Sequence, residues 1–172
     1  MTERSAVVLP GRMFGPYSPL LFYPTLALQA RDVPVRAVHW PESPGTDAGW
    51  VRAQVEPLLD EVGATLIVGK SLGSFAAHLA AERGLAGIWL TPLLKDPGVV
   101  AALRVATAPQ LLVGGTADEL AWDGAVARDL SPHVCEVAGA DHGMIVPGPL
   151  AASAAVLGRV VTAVEHFLDH AL

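Results

Sequence analysis

The stretch Thr65-Leu66-Ile67-Val68-Gly69-Lys70-Ser71-Leu72-Gly73 decides the fold of this chain, together with the helical run at residues 74–83 that follows it. An apolar run that leads through Gly-x-Ser-x-Gly into a helix predicts a sharp strand-to-helix turn with the serine at its apex. Side chains at positions 69 and 73 would collide with the neighbouring strand and helix, which explains glycine at both. Ser71 is therefore a candidate nucleophile that projects from the edge of a sheet.

The rest of the chain alternates in the same way between apolar runs and helical segments. Further short, unalternating apolar runs lie at residues 6–9, 33–40, 87–90, 110–113 and 134–137. Such runs suit strands that are buried on both faces of a parallel sheet, with helices as the crossover connections. The pattern predicts one α/β domain over residues 1–172, a three-layer αβα sandwich around a six-stranded, mainly parallel, doubly wound sheet.

Three helices have recognisable signals. The segment after the first strand has a start at Ser18-Pro19 and a kink expected at Pro24. Residues 46–62 have a one-sided apolar stripe that Asp47 or Thr46 could cap. Residues 157–171 repeat apolar positions at i, i+3 and i+4, which predicts a long amphipathic closing helix.

Composition restricts the class of protein. The 172 residues are 52% hydrophobic and 16% charged, which is too apolar for intrinsic disorder. The single cysteine, Cys135, cannot form an internal disulfide and is expected in the core, so a reducing cytoplasm fits best. A net charge of -6 with no basic run disfavours nucleic acid. No signal peptide or membrane span is indicated, because Gly, Pro or charge breaks each apolar stretch, so a soluble protein is expected.

A serine hydroxyl becomes a good nucleophile when an imidazole takes its proton and a carboxylate orients that imidazole. The fifth apolar run is followed by Gly114-Gly115-Thr116-Ala117-Asp118, and the sixth by Gly139-Ala140-Asp141-His142-Gly143. Asp118 and His142 are therefore the candidate acid and base. The alternatives for these two roles are Asp96 and Asp123 as the acid and His39 as the base. Asp141 is expected to form a turn. Lys70 is expected to be solvated or at the sheet edge, with orientation of an anionic substrate beside the nucleophile as the alternative.

The order Ser71, Asp118, His142, each on a loop after a strand, resembles the α/β-hydrolase superfamily. The resemblance covers nearly the whole chain and implies a minimal, lidless member similar to serine esterases and dienelactone hydrolases. The family usually has two further strands at the start of its sheet, which are not expected here. It also tends to insert a lid at the position of residues 91–109, where this sequence has room for one short helix but no cap domain.

The resemblance further implies an oxyanion hole made of two backbone N–H groups. One belongs to the residue after the nucleophile, Leu72, and the other to Arg12 in the loop after the first strand, with Met13 as the alternative. Pro10 stands where the family commonly has His, although a main-chain donor does not depend on that side chain.

A substrate pocket of mainly apolar side chains is expected on the loops around this edge of the sheet. The candidates are Met13, Phe14, Tyr17, Trp40, Leu93, Trp122 and Met144. No His, Asp or Glu pair has the spacing of metal ligands, so neither a metal nor a cofactor is expected.

These features predict a serine hydrolase that acts on a small carboxylic ester, with thioesters and lactones as near variants. Two other hypotheses stay open. The altered loop at Pro10-Gly11 would suit a binding protein that keeps the fold without activity. A non-hydrolytic acyltransferase or cyclase would use the same triad. The sequence does not indicate an oligomeric state.

Overall fold

The computed structural model describes residues 4–13 and 15–172. Six strands form one sheet in which every described pair of neighbours is parallel, in the order β2-β1-β3-β4-β5-β6. The strands are β1 (Ala6–Leu9), β2 (Val35–Ala37), β3 (Leu66–Lys70), β4 (Ala86–Leu90), β5 (Gln110–Gly115) and β6 (His133–Val137). The strand order reverses between β1 and β3. In open α/β sheets, ligands bind in the crevice at the carboxyl ends of the strands beside such a reversal.

Helices cover both faces of the sheet. They are α1 (Pro19–Gln29), α2 (Ala48–Val62), α3 (Ala77–Arg83), α4 (Pro97–Val105), α5 (Gly124–Leu130) and α6 (Leu150–His170). One buried cluster joins the sheet to α1 and α6, and a second joins it to α2, α3, α4 and α5. The three-layer sandwich is thus confirmed. Residues 91–109 hold only the short helix α4, so no cap domain is inserted there.

β1 has the expected bounds, β4 and β6 begin one residue early, and β5 ends two residues late. The differences at β2 and β3 have structural causes. β2 is three residues long, whereas the apolar run spans 33–40. Val33 N–H donates to Leu28 of α1, Pro34 has no N–H, and Trp40 turns toward the loop after β1, so only the middle of the run pairs with β1. Conversely, β3 continues two residues beyond the apolar run and includes Lys70.

The helix starts follow the sequence signals. α1 begins at Pro19 and continues through Pro24, so this proline does not end the helix. Asp47, rather than Thr46, caps α2 by accepting a hydrogen bond from Trp50 N–H at 2.9 Å. α6 begins at Leu150, earlier than the periodic stretch indicated.

By length and composition, α6 is apolar enough to cross a membrane. In the fold, however, one face of α6 packs on the sheet through Val156, Val160, Val164, Phe167 and Leu168. Its opposite side carries Glu165 and Asp169, which pair with Arg31 at the end of α1. This one-sided pattern is typical of a core helix of an α/β sandwich.

Candidate active site

The turn after β3 holds Ser71 in a strained conformation. Its φ is +49°, in the left-handed region that non-glycine residues rarely adopt, and a 3-10 helix begins at the same residue. A Cβ on Gly69 would lie 2.9 Å from both the Gly73 carbonyl oxygen and the Trp89 ring, and one on Gly73 would lie 2.7 Å from the Leu9 carbonyl oxygen. Both glycines are therefore needed for the chain to pass between β1, β4 and the helix.

The three candidate catalytic side chains meet at this edge of the sheet. His142 Nε2 lies 2.9 Å from Ser71 Oγ, and His142 Nδ1 lies 2.7 Å from Asp118 Oδ2. The Asp118 side chain is fully buried, and its other oxygen accepts a hydrogen bond from Ala121 N–H at 3.1 Å. The carboxylate is thus fixed on both sides, and the imidazole, one-third exposed, can transfer a proton at the Ser71 oxygen.

The alternative acids are occupied elsewhere. Asp96 caps α4 through Val99 N–H, and Asp123 caps α5 through Ala125 and Val126 N–H. Asp141 accepts from Gly143 and Ile145 N–H, which makes it the turn-forming residue that the sequence indicated. The alternative base, His39, packs against the ring of Tyr17. The structure brings Asp118, and none of these other carboxylates, to His142.

The loop after β1 lies directly beside the nucleophile. A Cβ placed on Gly11 would be 3.6 Å from Ser71 Cβ, so Arg12 and Met13 follow at the position expected for an oxyanion donor. Trp40 Nε1 donates to the Pro10 carbonyl at 2.8 Å and holds the loop against the end of β2. Leu72, the other expected donor, is buried in the first turn of the 3-10 helix.

Ser74 is a positioning residue that the sequence did not single out. Its hydroxyl donates to the Ser71 carbonyl at 2.6 Å and accepts from Leu93 N–H at 3.1 Å, so it ties the nucleophile turn to the loop after β4. The signal was its place three residues after the nucleophile, where a serine can bond back to the turn.

Lys70 lies at the carboxyl edge of the sheet as the last residue of β3, but the expectation that it is solvated is wrong. Lys70 is only 7% exposed, and its Nζ lies 3.3 Å from both Thr91 Oγ1 and the His142 carbonyl oxygen. Alternation along β3 puts Lys70 on the same face as Leu66 and Val68, which pack in the core with α1 and α6. Burial lowers the pKa of Lys70, while the charges of Asp118 and Asp141 act in the opposite direction.

Two clefts lie beside the nucleophile, and a third, of about 290 Å³, is lined by Asp118, His142 and their loop neighbours. The first, here called the oxyanion cleft, has a volume of about 210 Å³ and is lined by residues 10–13, Gly15 and residues 39–42. The second, here called the Lys70 cavity, has a volume of about 380 Å³ and lies between the start of α1, the loop after His142 and α6. A larger depression of about 490 Å³ lies at the amino ends of β1 and β2, remote from the triad. Volume alone therefore does not identify the site.

The expected pocket residues divide between these clefts, the surface and the core. Met13 and Trp40 line the oxyanion cleft, and Met144 lines the Lys70 cavity. Tyr17 is 68% exposed. Phe14 lies outside the described residues.

Two pocket expectations are corrected by packing. Trp122 is buried in the core, where its ring covers Gly114 and its Nε1 donates to Glu136 at 2.7 Å. The half-buried Leu93 packs against the core cluster under α3 and α4. Trp122 follows a strand end, but its side chain lies on the sheet face instead of the crevice, because Gly114 leaves room for the ring there.

No group of three or more His, Cys, Asp or Glu in the described parts of the chain could hold a metal ion. Cys135 is half-buried in β6, and burial raises the pKa of its thiol, with the charge of Arg159 opposing this change. The sulfur lies on the α6 side of the sheet, away from the triad motifs.

Comparison with known proteins gives a consistent fold. No protein-family model and no curated protein matches the sequence. Among solved structures, an α/β-superfamily hydrolase from Xanthomonas campestris superposes with a TM-score of 0.73 at 19% identity, covering 96% of this chain and 98% of its own. Est1E from Butyrivibrio proteoclasticus with bound ferulic acid superposes with a TM-score of 0.74 at 16% identity, covering 98% of this chain and 89% of its own. Dienelactone hydrolase from Anabaena variabilis superposes with a TM-score of 0.71 at 19% identity, covering 98% of this chain and 87% of its own. The chain therefore has the fold of the α/β-hydrolase superfamily.

Proposed function

We propose that this protein is a serine hydrolase that cleaves small carboxylic esters through an acyl-enzyme. One observation carries the proposal, the continuous contact from Asp118 through His142 to Ser71, with 2.7 Å and 2.9 Å between the bonded atoms. The strained backbone of Ser71 supports it, because such strain persists where the surrounding structure enforces it and is concentrated at active sites. Structural neighbours titled hydrolases and esterases support the same class.

In this mechanism Ser71 Oγ attacks the ester carbonyl carbon while His142 Nε2 takes the hydroxyl proton. Asp118 holds Nδ1–H of the imidazole and stabilises the imidazolium that forms. The negative charge on the carbonyl oxygen is received by the backbone N–H groups of Leu72 and Arg12. His142 then gives the proton to the leaving alcohol, and a water activated by the same imidazole releases the acid from Ser71.

The proposal concerns a small-molecule substrate and no cofactor. Esters, thioesters and lactones all present the carbonyl that this arrangement attacks. We propose a cytoplasmic enzyme, with neither nucleic acid nor membrane as a partner, on the basis of the acidic charge balance and the single cysteine.

The test is covalent labelling by a fluorophosphonate together with hydrolysis of short p-nitrophenyl esters. We expect the wild type to be labelled and active. In Ser71→Ala we expect labelling to be lost and kcat to fall by about 10⁶-fold. Ser5→Ala, at the amino end of β1 and remote from the triad, is the matched serine control and should still be labelled. Labelling that persists in Ser71→Ala would refute the assignment, and a wild type that neither reacts nor hydrolyses would favour a binding protein. Product analysis with an acceptor alcohol distinguishes hydrolysis from acyl transfer.

A further inference from the structure

Lys70 is a buried cation without a paired carboxylate. Within residues 4–13 and 15–172, no Asp or Glu oxygen lies within the 4.0 Å of a salt bridge to its Nζ. Its two hydrogen-bond acceptors, Thr91 Oγ1 and the His142 carbonyl, are neutral. A charged group removed from water is costly unless it is paired, so this ammonium is suited to an anion that arrives from outside the chain.

The free bonding capacity of Lys70 faces a cavity. An ammonium has three donors, and the two neutral acceptors use two of them. Thr91 is fully buried and has a φ of +45°, a strained conformation for a β-branched residue, so the acceptor that holds Nζ is itself held in place by its surroundings. Lys70 lines the Lys70 cavity, and the third donor is available there.

The other walls of the Lys70 cavity are mainly apolar. They consist of Pro19, Leu20, Met144, Ile145, Ala154 and Leu157, with Ser18, Gly143 and Ser153 completing the lining. Ser18 Oγ is buried and has no hydrogen-bond partner in the described structure. The cavity thus offers aliphatic surface to a chain of methylenes and two polar groups, Lys70 Nζ and Ser18 Oγ, to an acceptor at the end of that chain.

This cavity adjoins the catalytic groups. Lys70 precedes the nucleophile, and Gly143, in the cavity wall, follows the catalytic imidazole. The Lys70 stem passes the loop after β1, where a Cβ on Gly11 would lie 3.9 Å from Lys70 Cδ and 3.6 Å from Ser71 Cβ. His142 contacts both residues, Ser71 Oγ through its ring and Lys70 Nζ through its carbonyl. An acyl group bound to Ser71 can therefore extend toward the ammonium.

We propose that the Lys70 cavity binds the acyl part of the substrate and that this acyl part ends in a carboxylate held by Lys70 Nζ. The substrate class is then the half-ester of a short aliphatic dicarboxylic acid. This inference rests on the proposed function. In the reaction Ser71 forms an ester bond to the acyl carbon as the alcohol departs with a proton, and water then cleaves that bond to release the dicarboxylate.

The experiment compares two p-nitrophenyl esters of similar length, the glutarate half-ester, which is anionic, and the hexanoate, which is neutral. The quantity measured is the ratio of their kcat/KM values. In the wild type we expect the ratio to favour the half-ester, and in Lys70→Met to fall by about tenfold to a hundredfold, as for loss of a charge-assisted hydrogen bond. Lys95→Met, the same change at the other lysine of the sequence, is exposed and should keep the wild-type ratio.

A different result is expected if Lys70 only positions residues 138–149, the loop between β6 and α6 that contains His142 and is here called the histidine loop. In that case Lys70→Met slows both esters equally and leaves the ratio unchanged, which would overturn the proposal. A wild type that prefers the neutral ester would also overturn it, and fluorophosphonate labelling together with hexanoate turnover would show that the proposed function still stands.

Binding of free glutarate, measured by calorimetry, tests the site without turnover. We expect binding to the wild type and to Ser71→Ala, and an affinity at least about tenfold lower in Lys70→Met. Glutarate binding to a protein that no fluorophosphonate labels would refute the hydrolase and keep the anion site. Equal affinities in wild type and Lys70→Met would refute the site.

Discussion

The oxyanion cleft and the Lys70 cavity lie on either side of the same nucleophile and differ in nearly every physical respect. The oxyanion cleft is formed by loop residues, of which Arg12, His39 and Glu42 are exposed. The Lys70 cavity is larger, and its walls come from the first turns of α1 and α6 and from residues 143–145, of which Met144 is buried. One side therefore offers polar groups in contact with water, and the other offers apolar surface around a single ammonium.

Under the proposed function, this difference would distinguish the two halves of an ester without a lid inserted at residues 91–109. Residues 91–109 contain only the short helix α4, and the two clefts lie at the edge of the sheet. The apolar Lys70 cavity suits the acyl half, whose chain loses contact with water, whereas the oxyanion cleft suits the departing alcohol. Four predictions test this division.

The largest effect on kcat is expected at Asp118, because the oxyanion cleft and the Lys70 cavity share one catalytic triad. Asp118→Asn keeps the size of the side chain but favours the wrong tautomer of His142, and should lower kcat by about 10⁴ for any ester. Asp141→Asn is the matched control, because its amide oxygen can still accept from Gly143 and Ile145 N–H, and should stay within about tenfold of the wild type. Similar losses in the two variants would contradict the assignment of the acid.

A larger side chain in the Lys70 cavity should slow the hydrolysis of esters with long acyl groups and not that of esters with short ones. Ala154→Phe, on the exposed side of the cavity wall, is expected to lower kcat/KM for p-nitrophenyl hexanoate by about tenfold and to leave p-nitrophenyl acetate nearly unchanged. Ala155→Phe, at an exposed neighbour on α6 that does not line the cavity, is the control. If Ala154→Phe slowed both esters equally, the cavity would not be the acyl site.

Removing the hydrogen bond that holds the loop of the oxyanion cleft should lower kcat for all esters, by a smaller factor. Trp40→Phe removes the hydrogen bond to the Pro10 carbonyl and should lower kcat by about threefold to tenfold with little change in KM. Trp50→Phe changes the neighbouring indole, whose ring centre lies 5.2 Å away, and is the matched control. An unchanged kcat in Trp40→Phe would show that the loop keeps its position without this bond.

The smallest expected effect is on stability in alkaline solution. Because burial lowers the pKa of Lys70 in the folded protein, the unfolded chain binds more protons between that lowered pKa and the ordinary value of 10.5. The free energy of unfolding of the wild type should therefore rise with pH in this range, relative to Lys70→Met. Urea denaturation at several pH values measures the difference, and a difference that is independent of pH would contradict the buried cation.

Much of the fold and of the candidate triad could be predicted because each depended on local pattern. Short apolar runs with helical segments between them indicated the parallel sheet and its two helical layers. The motifs containing Ser71, Asp118 and His142 each follow a strand, and parallel strands end at a common edge, so proximity followed from topology.

The choice among carboxylates was less certain from sequence. Asp96 and Asp123 are also in loops after strands or turns, and only the described hydrogen bonds show that both are used as helix caps. A cap and a catalytic acid use the same residue type near the same kind of helix start, which is why pattern alone does not separate them.

The sequence by itself determined the order of the elements, the strained turn at Ser71 and the three loops that meet there, because backbone sterics and hydrophobic periodicity act over a few residues. Only the tertiary structure decided that Lys70 is buried, that Trp122 turns into the core and that two unlike clefts flank the nucleophile. These outcomes depend on how α1, α6 and the histidine loop pack around one strand end, and such packing joins residues far apart in the chain.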